Sequence, residues 1–450
     1  MRASIAARPD AAPLRNNLAL LLRDLGRSRE ARAELEAALA IDAGYVEART
    51  NLGDTLLRER EFGPAVAELE RAAGDPRALA ETFYMLGLAY ERTNRHAEAL
   101  AALSGALERM PGGLVQARGE LGRLLQEPPS PASGERIRAL RETLASHPLF
   151  AKCAYRAGQT ALLAGRLSEG WTGYHWRPGR LAFERRAHVP GTFETPRLPE
   201  NVTGITVGIE EEQGLGDTLF FLRWAVPLHA AGARLFFRGD PRLLPMLSRT
   251  RRFEACVSRE APWPVAPDFV RTAGDLPLAT GDAGFPPALA LDPLPERLRK
   301  AKAALEGLDA ALAVTWRAGT KSDDPYGILF KEIDPSLLAR AASGRPMVSV
   351  QRQPGPGETA ALERALGRPV LDLSSWNEDL EDALALMATI DAYAGVSNTN
   401  MHLRAGTGRA ATVFVPFPPE WRWRAQGDSP WFPGFRLVRQ QWDGRWPDAP

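Results

Sequence analysis

The first 115 residues of the chain repeat themselves at a spacing of 34 residues. Four sets of apolar positions recur together in three successive copies. They are Leu18, Leu52 and Leu86; Ala31, Ala65 and Ala99; Leu35, Leu69 and Leu103; and Ala38, Ala72 and Ala106. Small alanines at fixed places let two helices approach closely, and the leucines bury the seam between them. The period therefore predicts stacked pairs of antiparallel helices.

This pattern resembles the tetratricopeptide repeat, whose period is 34 residues. Gly53 and Gly87 follow their leucines directly, and Tyr90 and Pro111 fill two further positions in the third copy. Repeats are predicted over 12–150, with clear copies at 12–45, 46–79 and 80–113 and degenerate helices after them. The concave face of such repeats usually holds a peptide or a partner helix, so we expect a protein partner there. A purely structural spacer is the alternative.

Residues 151–195 are predicted to form capping helices and a linker. Within them, Trp171, Tyr174 and Trp176 are spaced to pack as one aromatic cluster. This favours a helix that closes the open end of the repeat stack over a ligand site.

The composition limits the classes of function. A net charge of +1 leaves no overall basic field, so nucleic-acid binding has no global electrostatic support. The two cysteines, Cys153 and Cys256, form no disulfide framework or metal-ligand pattern, which suits a reducing compartment. Because no apolar run approaches the ~18 residues of a membrane span, the expected location is cytoplasmic, with no integral membrane segment.

After a proline-bearing link, the chain changes from pure helix to alternating strands and helices, which marks the main domain boundary. A first α/β lobe is predicted at 196–300 and a second at 308–450. In the first, the stretch 205–227 is typical of a strand, a glycine turn and a helix. Gly214 and Gly216 would allow positive φ there, and Asp217 would cap the helix. The predicted fold class is an α-helical repeat superhelix followed by an α/β fold of two Rossmann-like lobes.

Five short motifs follow one another in the α/β part. They are GLGD at 214–217, TWRAG at 315–319, the segment Lys331–Asp334, SNTNMH at 397–402 and PPEWRW at 418–423. Their order resembles the glycosyltransferase domain of bacterial tetratricopeptide-repeat proteins related to heptosyltransferases, and more distantly the protein O-GlcNAc transferases. The resemblance implies the GT-B fold and an enzyme that moves a sugar from a nucleotide-sugar to an acceptor hydroxyl. It also implies inverting chemistry with no metal ion and no cofactor, and a protein acceptor, such as a surface or flagellar protein, bound by the repeats.

A phosphate-binding side is predicted in the second lobe. The helix that starts near Asn400 would point its free N–H groups at the donor phosphates, with Ser397, Asn398 and Thr399 adding side-chain donors. The resemblance implies that His402 hydrogen-bonds a phosphate and that Lys331 holds the donor phosphates. Further cations are Arg317 and Lys321, each of which could instead be a solvated loop charge.

A general base is predicted in the first lobe. The resemblance gives this role to Asp217, on a turn whose Gly214 and Gly216 form the acceptor-side loop. A carboxylate there could take the proton of an acceptor hydroxyl as it attacks the anomeric carbon. The alternatives are Glu210, Glu211 and Glu212, which could equally be solvated acidic residues. No D-x-D triplet occurs in the chain, so no metal ligand is predicted.

The sequence leaves the function open between three hypotheses, of which the protein-directed glycosyltransferase is the first. Relatives commonly carry an aspartate where this chain has Asn398, which is compatible with a non-catalytic adaptor that keeps a degenerate nucleotide-binding module. An enzyme acting on a saccharide or lipid-linked acceptor is a third hypothesis. In the PPEWRW motif, Trp421 and Trp423 are expected to pack against the sheet rather than stack on a ligand, and Arg422 could meet a phosphate.

Overall fold

Paired helices build the N-terminal third of the protein in a computed structural model, which describes residues 5, 7–125, 131–180, 197–281, 284–319 and 331–447. Most consecutive helices pack against each other, as the period predicts. They are α1 (Ala12–Asp24), α2 (Ser28–Ile41), α3 (Val46–Arg58), α4 (Phe62–Ala73), α5 (Ala80–Arg92), α6 (His96–Glu108), α7 (Gly112–Leu124), α8 (Pro131–Ala145), α9 (Pro148–Ala164) and α10 (Leu167–Tyr174).

Glycine sets the distance between the helices of a pair in the second and third copies. A Cβ atom on Gly53 would lie 2.4 Å from Leu69 Cγ, and one on Gly87 would lie 2.7 Å from Leu103 Cγ. Both leucines are fully buried. The recurring glycine is therefore required by close packing, and the 34-residue spacing repeats that contact.

Helix α9 belongs to two hydrophobic cores. Phe150 and Cys153, near its start, lie in the core of the repeats, whereas Leu162 and Leu163, near its end, lie in the core of the α/β lobes. Beside it, α10 carries Trp171, whose ring meets Trp224 at 5.5 Å between ring centroids. The predicted capping helix therefore joins the repeats to the lobes instead of closing a free end.

The predicted single aromatic cluster is wrong for Trp176. Trp171 and Tyr174 contact each other, with ring centroids 5.9 Å apart. Trp176 packs edge-on against Phe150 at 4.8 Å, inside the core of the repeats. Helix α10 ends at Tyr174, so Trp176 no longer follows the helical face that carries the other two rings.

The first lobe is a four-stranded parallel sheet in the order β3-β2-β1-β4. The helix predicted after the glycine turn is divided by a 3-10 turn, and a second 3-10 turn with a short helix follows the last strand. The elements are β1 (Thr206–Glu210), α11 (Leu215–Phe221), the turn Leu222–Trp224, α12 (Ala225–Ala230), β2 (Arg234–Gly239), α13 (Leu244–Arg249), β3 (Ala255–Ser258), β4 (Phe269–Thr272), the turn Ala273–Asp275 and α14 (Leu276–Ala279).

The second lobe is a six-stranded parallel sheet in the order β12-β11-β10-β5-β8-β9, with a two-stranded antiparallel ribbon, β6-β7, beside it. Its elements are α15 (Pro295–Ala304), β5 (Leu312–Thr315), β6 (Arg317–Ala318), β7 (Lys331–Glu332), α16 (Pro335–Ala342), β8 (Met347–Ser349), α17 (Glu358–Leu366), β9 (Leu371–Asp372), the 3-10 turn Ser374–Glu378, α18 (Leu380–Thr389), β10 (Ala392–Gly395), α19 (Thr399–Gly406), β11 (Thr412–Val415), the 3-10 turn Trp421–Trp423 and β12 (Arg436–Arg439).

These elements confirm the predicted fold class, a helical repeat region followed by two Rossmann-like lobes. Helix α15 packs against α18, where Arg297 and Lys300 both pair with Asp382. We therefore propose that the division between the lobes lies before Pro295, rather than within this helix. No helix in the described part of the chain is long and apolar enough to cross a membrane.

Buried charges fasten the segment after α10 to the first lobe. The Arg177 guanidinium pairs with Glu212, donates to Asp275 at 2.9 Å and donates to Thr272 Oγ1 at 2.7 Å. Arg180 Nε donates to the other oxygen of Asp275 at 2.7 Å. Both arginines and Asp275 are almost completely buried. Because Glu212 lies in the loop after β1, this cluster also fixes that loop to the segment after α10.

Candidate functional site

A cleft of about 470 Å³ opens between the two lobes, at the carboxyl ends of β1, β5, β8 and β10. Open α/β sheets bind ligands at this place. Ten of the predicted site residues line it. They are Gly214, Gly216 and Asp217 from the first lobe, and Arg317, Lys331, Ser397, Asn398, Thr399, Asn400 and His402 from the second. Lys321 lies outside the described residues.

Helix α19 begins at the cleft and is capped by Asn398. The Asn398 Oδ1 atom accepts hydrogen bonds from the Met401 N–H at 3.2 Å and from the Tyr393 hydroxyl at 2.9 Å. Its Nδ2 donates to Thr315 Oγ1 at 2.7 Å. The amide group thus orders the helix start, which differs from the predicted role of direct phosphate donor.

The side chain of Asn400 is likewise used in hydrogen bonds within the second lobe. Its buried Nδ2 donates to Asn377 Oδ1 at 2.8 Å and to the Val350 carbonyl at 3.3 Å. Asn377 in turn donates to the same carbonyl at 3.0 Å. The backbone N–H groups of the first turn of α19, more than its amide side chains, therefore face the cleft as donors.

His402 lies in the first turn of α19 and is buried. Its ring packs between Phe220, at 6.0 Å, and Phe432, at 5.6 Å between centroids. Burial, together with the nearby charges of Arg422, Arg223 and Lys331, holds the pKa of His402 well below its usual range. The imidazole is therefore neutral near pH 7 and offers one N–H donor to the cleft.

The two predicted cations differ in their pairing. Lys331 Nζ donates to the Ser397 carbonyl at 3.3 Å and pairs with Glu420. Arg317 Nε donates to Glu358 at 2.9 Å, and its Nη2 donates to the Gln353 carbonyl. Arg317 therefore ties β6 to the loop after β8 and is not the solvated loop charge that the sequence left open.

Asp217 does not cap its helix. Gly214 is the N-cap residue, and Asp217 lies in the first turn of α11, where it pairs with Arg422. Its side chain is 34% exposed, whereas that of Arg422 is 8% exposed. Burial alone would lower the pKa of the Arg422 guanidinium. The negative charges of Asp217 and Glu420 have the larger effect, and the pKa is raised above its usual value.

Each of the alternative carboxylates is paired. Glu210 pairs with Arg238, Glu211 accepts from Arg259 and from the Asp240 N–H, and Glu212 pairs with buried Arg177. They are therefore not solvated acidic residues, as the sequence allowed. Asp217 and Glu211 line the cleft on this lobe, and of the two Asp217 has the far more exposed side chain.

Gly216 brings the lobes together, although neither it nor Gly214 adopts the predicted positive φ. A Cβ atom on Gly216 would lie 3.0 Å from His402 Cδ2 and 3.4 Å from Thr399 Cα. Helices α11 and α19 accordingly pack against each other across the cleft. Close approach, and not backbone conformation, explains the glycine.

Replacing Gly216 by Ala should weaken the binding of any ligand held by His402 about three- to tenfold, since the added methyl group displaces the imidazole. Titration calorimetry would measure this. Gly119→Ala on α7 is a matched control, because no atom lies within 4 Å of its Cβ position. Equal affinity of Gly216→Ala and the wild-type protein would contradict the argument.

Arg422 lines the cleft, where the sequence analysis allowed it to meet a phosphate, and Glu420 beside it was not assigned from the sequence. They alternate with Trp421 and Trp423, which are buried in the core, as predicted for these tryptophans. Alternation of charged and aromatic residues in a short turn was the available signal. The partner of Arg422 could not be inferred, because Asp217 is 205 residues away.

Comparison with known proteins identifies the repeats. A sequence profile of the tetratricopeptide repeat matches residues 12–45 and 80–111. The chain therefore carries tetratricopeptide repeats. No group of three or more His, Cys, Asp or Glu side chains suited to a metal ion occurs among the described residues.

Longer similarities extend over the α/β part. Protein FlbA of Caulobacter vibrioides is 26% identical over 478 aligned residues, which cover 98% of this chain and 72% of FlbA. A glycosyl transferase family 9 structure from Veillonella parvula is 10% identical, with a TM-score of 0.41, and covers 54% of this chain and 88% of its own. The structure of a mutant O-GlcNAc transferase from Thermobaculum terrenum is 15% identical, with a TM-score of 0.28, and covers 92% of this chain and 84% of its own.

Proposed function

We propose that the protein is a glycosyltransferase that moves a sugar from a nucleotide-sugar donor to an acceptor hydroxyl, on a protein or peptide held by the repeats. One observation carries the proposal. The cleft sets a helix N-terminus, a neutral imidazole and a lysine on one lobe against a partly exposed carboxylate on the other.

The second lobe suits a departing phosphate. Negative charge grows on the leaving group as the glycosidic bond breaks, and preorganised donors stabilise it. The first turn of α19 supplies backbone N–H groups, His402 supplies an N–H without adding charge, and Lys331 supplies a cation. This donor set requires no metal ion, in keeping with the proposed metal-independent reaction.

The first lobe suits an incoming alcohol. In the proposed step, the acceptor oxygen bonds to the anomeric carbon while the bond from that carbon to the phosphate oxygen breaks. Asp217 takes the hydroxyl proton, and the nucleoside diphosphate leaves with the bonding electron pair. A single displacement of this kind inverts the anomeric centre.

The packing of the repeats against the lobes supports the proposed role of the repeats in presenting an acceptor. Helices α9 and α10 continue the repeat stack and pack on the α/β lobes, and Arg424 from the second lobe donates to the Leu162 carbonyl at the end of α9. A partner bound to the repeats would thus be linked to the cleft through these packed helices.

Thermal stabilisation by UDP-, ADP-, GDP- and CMP-linked sugars tests the proposal. At least one of them should raise the unfolding temperature of the wild-type protein, since a ligand that binds only the folded state stabilises it. His402→Leu, which removes the N–H donor, should lose most of that rise. His229→Leu is the matched control, because His229 lies on α12 and does not line the cleft. No rise with any donor would refute the proposal.

Removing residues 1–45, which comprise the first repeat, should abolish modification of a protein acceptor while leaving nucleotide binding intact. A cut after residue 115 is unsuitable, because α6 packs against α9 and the cut would expose that face. Mass spectrometry of the acceptor and calorimetry with the nucleotide give the two readouts. Unchanged acceptor modification by the shortened chain would rule out the display role.

A second candidate is a nucleotide-binding adaptor without turnover. The internal pairing of Lys331 with Glu420 and of Asp217 with Arg422, and the capping role of Asn398, favour it. Such a protein would bind a nucleotide-sugar and return it intact after incubation with acceptor, as judged by chromatography. Release of free nucleoside diphosphate would exclude this candidate.

A further inference from the structure

Four charged side chains form an alternating row between the lobes. Asp217 pairs with Arg422, the Arg422 Nη1 atom lies 3.8 Å from Glu420 Oε2, and Glu420 Oε1 pairs with Lys331. We call these residues the charge row. It runs from the carboxylate of the first lobe to the cation of the phosphate side.

The middle link of the charge row is the weak one. The outer pairs are direct contacts, whereas 3.8 Å is too long for a hydrogen bond. Within the described part of the chain, buried Glu420 Oε2 and buried Arg422 Nε have no hydrogen-bond partner. Glu420 Oε2 can therefore still accept a hydrogen bond, and Arg422 Nη1 is a cationic donor that already lies close to it.

The backbone that carries the two middle residues is anchored. The Ser429 hydroxyl donates to the Arg422 carbonyl at 2.6 Å, and Arg439 Nε donates to the Arg424 carbonyl at 3.1 Å. Trp423 is buried and stacks on Phe432 at 4.8 Å between centroids. When the charge row shifts, we therefore expect the side chain of Arg422 to move while its backbone stays in place.

The Arg422 guanidinium is packed over aromatic rings as well as paired with Asp217. It lies over the rings of Phe220, at 4.6 Å, and Trp421, at 4.7 Å. Attraction of a cation to a ring face does not depend on which acceptor its N–H groups meet. The rings therefore continue to stabilise the guanidinium whether its N–H groups meet Asp217 or Glu420.

Glu420 stays ionised within the row. Its burial alone would raise the pKa of the carboxyl, but Lys331 and Arg422 lower it below the usual range. An anion that draws Lys331 away leaves Glu420 with Arg422 as its neighbouring cation. Arg422 then moves toward Glu420, and Asp217 loses part of its partner.

We propose that Glu420 and Arg422 are positioning residues that couple occupation of the phosphate side by a nucleoside diphosphate group to release of Asp217 as the base. This rests on the proposed function. With the donor absent, Asp217 is held by Arg422. With the donor bound, the charge row shifts and frees the carboxylate for the acceptor hydroxyl.

Glu420→Gln provides the test, because it keeps the shape and removes the competitor for Lys331. Calorimetry with UDP, ADP, GDP and inorganic pyrophosphate should show binding about fivefold tighter than in the wild-type protein, the size expected for one lost ion pair. Turnover should fall, because Arg422 then stays on Asp217. Tighter binding with slower turnover is not expected of a residue that only supports the fold.

Asp382→Asn is the matched control. It also removes an acid paired with a lysine, but Asp382 lies on α18 and does not line the cleft. Its nucleotide affinity should equal that of the wild-type protein. If Glu420→Gln fails to fold, Glu420→Asp, whose shorter side chain retreats from Lys331, should show the same change.

The outcomes separate the two proposals. If the wild-type protein binds a probe and Glu420→Gln binds it no more tightly, the coupling is wrong and the glycosyltransferase proposal stands. If none of the variants nor the wild-type protein binds any probe, both proposals fail. Binding by Glu420→Gln alone supports the coupling, since Glu420 then blocks the cation.

Discussion

Replacing Asp217 by Asn should slow sugar transfer by about 10²–10⁴-fold, the usual contribution of a general base. Asparagine keeps the shape of the side chain and can still accept a hydrogen bond from Arg422, so the lobes should remain as they are. What it cannot do is take the proton of the acceptor hydroxyl. Donor affinity should therefore stay within a few-fold of the wild-type value.

The measurement is release of nucleoside diphosphate from the donor that stabilises the protein, with and without acceptor, alongside calorimetry for donor affinity. Glu210→Gln is the control, because Glu210 is an adjacent carboxylate that pairs with Arg238 and does not line the cleft. Its turnover should match that of the wild-type protein. Full turnover by Asp217→Asn would remove Asp217 as the base.

Replacing Asp275 by Asn should lower the free energy of unfolding by about 3–5 kcal/mol, the usual effect of removing one partner from a buried ion pair. Arg177 and Arg180 both bond to this carboxylate, and none of the three is more than 2% exposed. The variant removes the carboxylate charge to which both buried cations bond, while Arg177 keeps its pair with Glu212. Because the cluster fastens the segment after α10 to the first lobe, unfolding of that lobe should shift most.

Chemical denaturation followed by tryptophan fluorescence would measure the effect of Asp275→Asn. Asp443→Asn is the control, because Asp443 pairs with an arginine whose side chain is 82% exposed, and such pairs contribute little. A loss no larger than in this control would show that the cluster is not a stabilising contact.

The pH dependence of the Asp275 effect follows from the same cluster. Burial alone would raise the pKa of this carboxyl, but Arg177, Arg180 and His175 hold it well below its usual range. Because the pKa of this carboxyl is lower in the folded protein than in the unfolded chain, its ionised form stabilises the fold. This stabilisation is complete above about pH 4, the pKa of the carboxyl in the unfolded chain, and is lost as the pH falls through the pKa in the folded protein. The difference between wild type and Asp275→Asn should therefore be constant between about pH 5 and 8 and shrink in acid.

The repeat region could be predicted from the sequence because its contacts are local. Each helix packs mainly on its chain neighbours, so the spacing of Gly53 and Gly87 from Leu69 and Leu103 already describes the contact. Strands β5 and β8 have a similarly local signal, since fully buried parallel strands are short apolar runs between turn residues. The division of the helix after Gly216 by a 3-10 turn could not be predicted, because an α-helix and a 3-10 turn bury the same residues here.

The residues that line the cleft could be identified from their motifs, but the hydrogen bonds and ion pairs that they make could not. Asn398 is visible in the sequence as a polar residue before a helix, which suits either a cap or a ligand donor. Only the positions of Tyr393 and Thr315 assign its amide to the cap. Arg317 and Glu210 likewise proved to be paired rather than solvated.

By itself the sequence determined the helical period, the order of the two α/β lobes and the residues that meet at their strand ends, because these depend on residues near one another in the chain. Tertiary structure alone decided that Arg422 holds Asp217, that Glu420 holds Lys331 and that Gly216 touches His402. Those contacts join residues that are far apart in the chain. Only the folded sheets and the packing of the two lobes bring these residues within a few ångströms of one another, where charge pairing and close packing act.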